Sequence, residues 1–148
     1  MTAFQKILVP TDGSSCSKEA IRTASELASG LGASLTLVYF FEPFKYALPE
    51  GYVVYTPEQL AEMVDHFEQM LKEAKLTAEG HGASSVHTHV LQGVAAEDVG
   101  AYAEEHGFDL IVMGTHGRGA LGRMFLGSVA DKVVRASNVP VMTVRAPE

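Results

Sequence analysis

Residues 114–128 read GTHGRGALGRMFLGS, a run whose glycines, arginines and closing Gly-Ser are the residue types that hold phosphate. Gly117, Gly119 and Gly122 spell G-x-G-x-x-G directly after the apolar run Leu110–Met113. A dinucleotide fingerprint needs those glycines at the first strand-to-helix turn, and an acidic residue about 20 positions on to hold the ribose. Here only one helix and one strand follow Gly122, and the residue at that distance is Met142. Gly122 to Gly127 also has the spacing of a phosphate loop, but Ser128 follows Gly127 directly, where the lysine that charges such a loop belongs. Both assignments fail in context, and the physics beneath them survives. Gly114 ends a strand, at the edge where an open α/β sheet takes its ligands. Gly117 is free to adopt positive φ and let a ligand approach the backbone. Gly127-Ser128 opens the last helix, whose unpaired N–H groups and dipole attract an anion without any lysine. Arg118 and Arg123 lie between these points and add positive charge.

Such a loop works only if strands and helices place it. Ile7–Val9, ended by Pro10, is a short apolar run of the kind a buried parallel strand gives. Ser14–Ser17 is rich in capping types, and Ala20, Ala24, Leu27, Ala28 and Leu31 recur at helical spacing up to Gly32. Leu35–Phe41 is the second strand, and 42–55 reads as a loop whose aromatics Phe44, Tyr46, Tyr52 and Tyr55, with Phe41, pack over the core. Thr56-Pro57-Glu58-Gln59 predicts a helix start with a capping box, followed by an apolar face of Leu60, Met63, Val64, Phe67, Leu71 and Ala74. Val86–Leu91 is a more polar strand, suited to a sheet edge. Ala95–His106 is a helix stopped by Gly107, Asp109–Met113 a strand, Ser128–Ala136 a helix with Val129, Val133 and Val134 on its apolar side, and Val141–Val144 a last strand. Strict alternation of strand and helix predicts right-handed parallel crossovers. The expected architecture is an α/β domain over residues 1–148, one doubly wound five-stranded parallel sheet with helices on both faces.

The bulk numbers set the frame. The chain has 148 residues, 47% of them hydrophobic and 20% charged, enough for a core without staples. A net charge of −7 without a long basic cluster argues against nucleic acid. The single cysteine, Cys16, forms no intrachain disulfide and fits a reducing compartment. The first residues lack the pattern of a signal peptide, and no apolar run approaches the ~18 residues of a membrane span. The expectation is a cytoplasmic protein that meets no membrane.

Gly114-x-x-Gly117, nine residues, then Gly127-Ser128 resembles the ATP-binding motif of the universal stress proteins. Lys6–Ser14 (KILVPTDGS) at one end and Val139–Val144 (VPVMTV) at the other also look typical of that family. The resemblance implies strand order 3-2-1-4-5, a homodimer paired through the last strand, Val141 to Val144, and ATP held with magnesium (Mg2+) between the first and fourth strand ends. Carried over to this chain, it puts Pro10, Thr11 and Asp12 at the adenine and ribose end, and Val38 or the bulkier Phe40 against adenine. Met113 and Gly114 would back the ribose and phosphates. Gly117, Gly127, Ser128 and Val129 would turn N–H groups to the phosphates, with Arg118 near them. Asp12 suits its place, since a carboxylate accepts from both ribose hydroxyls or holds magnesium through water.

Plainer roles stand beside these. Asp12 could only cap the turn after the first strand, and Ser128 could be only a helix cap. Cys16, near a helix start, is a candidate for a lowered pKa, though a small helix residue explains it as well. His87 and His89 share one strand face, but no third ligand lies close in sequence and a metal site is not expected. His116 reads as a surface loop residue within reach of phosphate. No general base stands out, so the function expected is a nucleotide-dependent switch read by an unidentified protein partner, with hydrolysis slow if it occurs. The alternatives are an interaction module of the same family that binds no nucleotide, and an adenylyl- or pyrophosphate-transferring enzyme. The enzyme would carry a His-x-Gly-His or Ser-Gly-Gly-x-Asp-Ser type loop, where this chain has Thr11-Asp-Gly-Ser-Ser15.

Overall fold

The computed structural model describes residues 4–43, 46–48, 51–53, 55–116 and 126–147. In chain order the elements are β1 (Lys6–Pro10), α1 (Ser15–Leu31), β2 (Ser34–Phe41), β3 (Tyr46–Leu48), β4 (Gly51–Val53), α2 (Pro57–Gly80), β5 (Val86–Gln92), α3 (Ala95–Glu105), β6 (Leu110–Gly114), α4 (Ser128–Ala136) and β7 (Val141–Val144). Five strands form one parallel sheet in the order β5-β2-β1-β6-β7. Numbered among themselves these are 3-2-1-4-5, as the resemblance implied. The chain winds outward from β1 to β5, returns to β6 on the other side of β1, and so reverses between β1 and β6.

The period of two along each strand divides the core. Ile7, Val9, Leu35, Leu37, Leu110 and Val112 face α1 and α2, where they meet Ala20, Ala24, Ala28 and Leu71. Leu8, Val38, Ile111 and Met113 face α3 and α4, where they meet Val99, Ala103, Ala130 and Val133. Alanines on the sheet-facing stripe of α1 let that helix lie close. Gly32 stops it in the left-handed conformation at φ 68°, with its N–H bonded to the Ala28 carbonyl. The capping box is present at α2: Thr56 Oγ1 accepts from Gln59 N at 3.1 Å, and Gln59 Oε1 accepts from Thr56 N at 2.9 Å. As its polar sequence suggested, β5 is an edge strand.

Two expectations are corrected. Residues 42–55 are not all loop, because Tyr46–Leu48 and Gly51–Val53 pair as an antiparallel ribbon. Gly51, at φ 125°, takes a conformation open mainly to glycine. Prolines and glycines hid the short pairing, and Phe44 with the side chains of Tyr46 and Tyr52 lie outside the described residues. On α4, Val133 is buried with Ala130, while Val129 and Val134 are exposed. α4 packs against α3 and β7 at the margin of the sheet, and among the described residues no strand beyond β7 covers its outer flank.

Leu37 is fully buried in the middle of the sheet. Leu37→Ala should lower the unfolding free energy by about 2–5 kcal/mol, through lost burial and the cavity left behind. Thr56→Ala, which removes only the cap, should cost about 1 kcal/mol. Urea denaturation of the two variants checks the order; equal losses would mean that the core does not carry the fold as described.

Candidate functional site

The chain reversal between β1 and β6 leaves a crevice beyond the carboxyl ends of those strands, with the β1–α1 turn on one side and the start of α4 on the other. The turn is built by short polar contacts. Thr11 N donates to the Val38 carbonyl at 2.9 Å, which extends the β1–β2 pairing by one step. The Thr11 hydroxyl donates to Ser17 Oγ at 3.1 Å, and Ser17 Oγ donates to the Ser14 carbonyl at 2.9 Å. Asp12 Oδ1 accepts from Ser14 N at 2.9 Å, and Ser14 Oγ caps α1 by accepting from Ser17 N at 3.2 Å. Asp12 does cap the turn. Among the described residues, its second oxygen has no hydrogen-bond partner.

On the other side, Gly127 is the residue before α4 and supplies no side-chain cap. Ser128 is the first helical residue rather than the cap, which corrects that expectation. The first-turn N–H groups of α4 are therefore not covered by a capping side chain. Gly127 N donates to the Thr115 carbonyl at 2.7 Å, and this pins the start of α4 to the end of β6. A Cβ at Gly127 would lie 2.9 Å from the Thr115 oxygen and 3.2 Å from His116 Cα. At Gly114 it would lie 2.7 Å from Cys16 Cβ. These two motif glycines, Gly114 and Gly127, are demanded by packing, whatever else they do.

Of the remaining residues singled out by sequence, Pro10 is half-buried at the end of β1. Met113 is buried under the crevice, and Ser128 and Val129 are exposed at the start of α4. Val38, offered against adenine, is instead a fully buried core residue whose side chain has no surface to present. Phe40, two residues on, is half-buried and meets Tyr102 edge-on with ring centroids 6.1 Å apart. Gly117, Arg118 and Arg123 lie outside the described residues. Among those described, no three His, Cys, Asp or Glu residues come together as a metal site, and no helix is long and apolar enough to cross a membrane.

Two residues that sequence reasoning passed over hold the crevice together. Thr115 is buried; its N donates to the Val144 carbonyl at 2.9 Å, its carbonyl takes Gly127 N, and its hydroxyl meets His116 Nδ1 at 3.1 Å and Cys16 Sγ at 3.8 Å. Ser17 links Thr11 to the first turn of α1. The sequence offers only a threonine directly after a motif glycine; its burial, which commits its polar groups to partners, appears in the fold. Cys16 lies between these points. Burial acts to raise its thiol pKa, but backbone hydrogen bonds from Ala146 and His116 and the Thr115 hydroxyl outweigh burial and the Asp12 charge, leaving it below the usual value.

The model of the universal stress protein family matches residues 3–145. A universal stress protein of Methanocaldococcus jannaschii is 37% identical over 148 residues, an alignment spanning 98% of this chain and 84% of that one. Universal stress protein UspA from Lactobacillus plantarum superimposes with a TM-score of 0.79 at 26% identity, over 96% of this chain and 98% of its own. A universal stress protein crystallised in complex with cAMP superimposes with a TM-score of 0.72 at 26% identity, over 97% and 98% of the two chains.

The contacts around Cys16 and Gly114 give testable consequences. Only the thiolate alkylates, so iodoacetamide labelling of folded protein should reach its plateau at lower pH than labelling of the urea-unfolded chain. Thr115→Val removes one of the groups that lower the pKa and should move that plateau to higher pH. Gly114→Ala should cost about 1–3 kcal/mol by overpacking against Cys16. A labelling profile identical in folded and unfolded protein would contradict the assignment.

Proposed function

The chain belongs to the universal stress protein family, and we propose that it is an adenine-nucleotide-binding regulatory protein. The ligand is ATP with magnesium, held in the crevice between the ends of β1 and β6. The observation that carries this reading is the pairing of two features across that crevice. One is a carboxylate, Asp12, oriented by Ser14 and left with an oxygen to spare. The other is a helix start that Gly127 leaves without a side-chain cap and fixes against Thr115. Ribose hydroxyls suit the first and phosphate oxygens suit the second, since free N–H groups and the helix dipole favour anions. Pro10 and Phe40 flank the base, Met113 and Gly114 back the sugar and phosphates, and Gly117, Ser128 and Val129 donate to the tail with Arg118 nearby. The relative crystallised with cAMP supports an adenine nucleotide as the ligand class.

Regulation rather than turnover follows from what the loop supplies. Ser128 stands where a phosphate-loop lysine would be, so phosphate is cradled without the charge that rapid transfer uses. A partner protein distinguishes the nucleotide-bound from the nucleotide-free state. The acting unit is a cytoplasmic homodimer paired through Val141 to Val144. β7 is an edge strand, and exposed Met142, Val129 and Val134 lie on or beside it. Two such edges meeting would cover unpaired backbone and apolar surface together.

Calorimetric titration of nucleotide-stripped protein with ATP and magnesium tests the core of this reading. Gly127→Val would be a poor control, because its side chain collides with Thr115 whether or not ATP binds. Asp12→Asn keeps the acceptor for Ser14 N and removes only the charge; it should weaken binding by about tenfold, the worth of one charged hydrogen bond. Ser128→Ala should weaken it by a smaller factor. If wild-type protein takes up no ATP, the proposal fails; if Asp12→Asn binds as well as wild type, Asp12 is only a turn cap. Sedimentation at micromolar concentration should show a dimer that Met142→Lys shifts toward monomer.

A further inference from the structure

A second recess lies on the opposite face of the sheet from α3 and α4, and the proposed nucleotide site makes no use of it. α2 has 24 residues and so is ~36 Å long. The seven residues of β5, the edge strand beneath it, span only ~23 Å. The buried positions of α2, Leu71 and Ala78, both lie in its second half. Its first turns therefore project past the carboxyl edge of the sheet, and Leu60 and Val64 are only half-buried. Between these two residues and the ends of β2 and β5, at Phe41 and Gln92, runs a groove of about 570 Å³, with Asp65 and Glu68 on its rim.

The charge that the first half of α2 brings to the groove is of one sign. Glu58, Glu62, Asp65 and Glu68 follow one another along α2, and no lysine or arginine precedes Lys72 on that helix. None of the four has a cationic partner among the described residues. A floor of apolar side chains beneath an acidic rim is the pattern that takes an apolar anchor with a cation beside it. We propose that this groove docks a cationic amphipathic segment of a partner protein. A second copy of the chain is already assigned to the β7 edge, at the opposite end of the sheet from β5 and this groove. The chain's own segment 42–55 carries Glu42 and Glu50 against Lys45, so it does not supply the complementary charge either. The groove lies beside the proposed nucleotide site, but the proposal does not depend on ATP.

The probe is a fluorescently labelled amphipathic peptide of leucine and lysine, compared by anisotropy with its leucine–glutamate counterpart on the full chain without nucleotide. The lysine peptide should bind and the glutamate peptide should not. The double variant Asp65→Lys/Glu68→Lys should weaken binding by about tenfold or more, and added salt should weaken wild-type binding. Ala61 also lines the groove, so Ala61→Trp fills it with the charge unchanged and should weaken binding at least several-fold. Reversal of two distant exposed acids, Glu79→Lys/Glu105→Lys, should change affinity by less than about twofold. Thermal melts of each variant establish that the fold is retained.

The proposal is overturned if the lysine peptide does not bind, if Ala61→Trp binds as wild type does, or if the distant reversal costs as much as the rim reversal. A loss of dimer on Ala61→Trp alone would instead give the groove to a second copy. Binding gained only after deletion of residues 44–53 would give it to the chain's own ribbon.

Discussion

The carboxyl edge of this sheet depends on how closely the chain passes itself at positions 114 and 115. Gly114 has no side chain, and the first turn of α1 occupies the space where one would be. Thr115 then ties four parts of the molecule within one residue: β7 through its N–H, α4 through its carbonyl, and His116 and Cys16 through its hydroxyl. Because the start of α4 is bonded to the same residue that ends β6, the helix N-terminus cannot drift from the β1–α1 turn without breaking that bond. The proposed crevice is thus a consequence of sheet packing. It needs no ligand to define its walls.

The same edge serves two faces. Phe40 and Phe41 are consecutive at the end of β2, and the alternation of a strand sends them apart. Phe40 turns toward Tyr102 on the α3 side, and Phe41 toward Phe67 on the α2 side at 5.6 Å between centroids. The side proposed for the base and the acidic groove are therefore separated by the thickness of one strand. The polar crevice is held by backbone and hydroxyl contacts, whereas the groove exists because a long helix outruns a short strand.

The order and type of the main elements were legible because each carries a strong local signal. Apolar runs bounded by proline or glycine marked β1, β2 and β6, and Thr56 with Gln59 marked the start of α2. The ribbon at Tyr46–Val53 was not legible, since three-residue strands give too little alternation to stand out from the glycine and prolines around them. Nor could the sequence show that Val129 and Val134 stay exposed, because helical periodicity identifies an apolar face and not whether anything covers it. At the site, the motif glycines were visible by spacing, but their reason was not. Gly114 and Gly127 are explained by the atoms a Cβ would strike, which belong to residues far away or across a turn. Thr115 escaped notice for a related cause: a threonine beside a strand end looks ordinary until its burial is known. Val38 was misjudged because alternate residues share a face without sharing a depth.

Asp12 carries a further meaning. Its carboxylate is bonded to Ser14 N in the protein alone, and Ser14 is in turn bonded to the first turn of α1. Folding has already restrained the side chain that the proposed ligand would otherwise have to order. An unrestrained side chain gives up ~0.5–1.5 kcal/mol of freedom when a ligand immobilises it, and here most of that loss precedes the encounter. The turn that looks like simple capping is preorganisation. One oxygen serves the fold, and the other has no hydrogen-bond partner among the described residues.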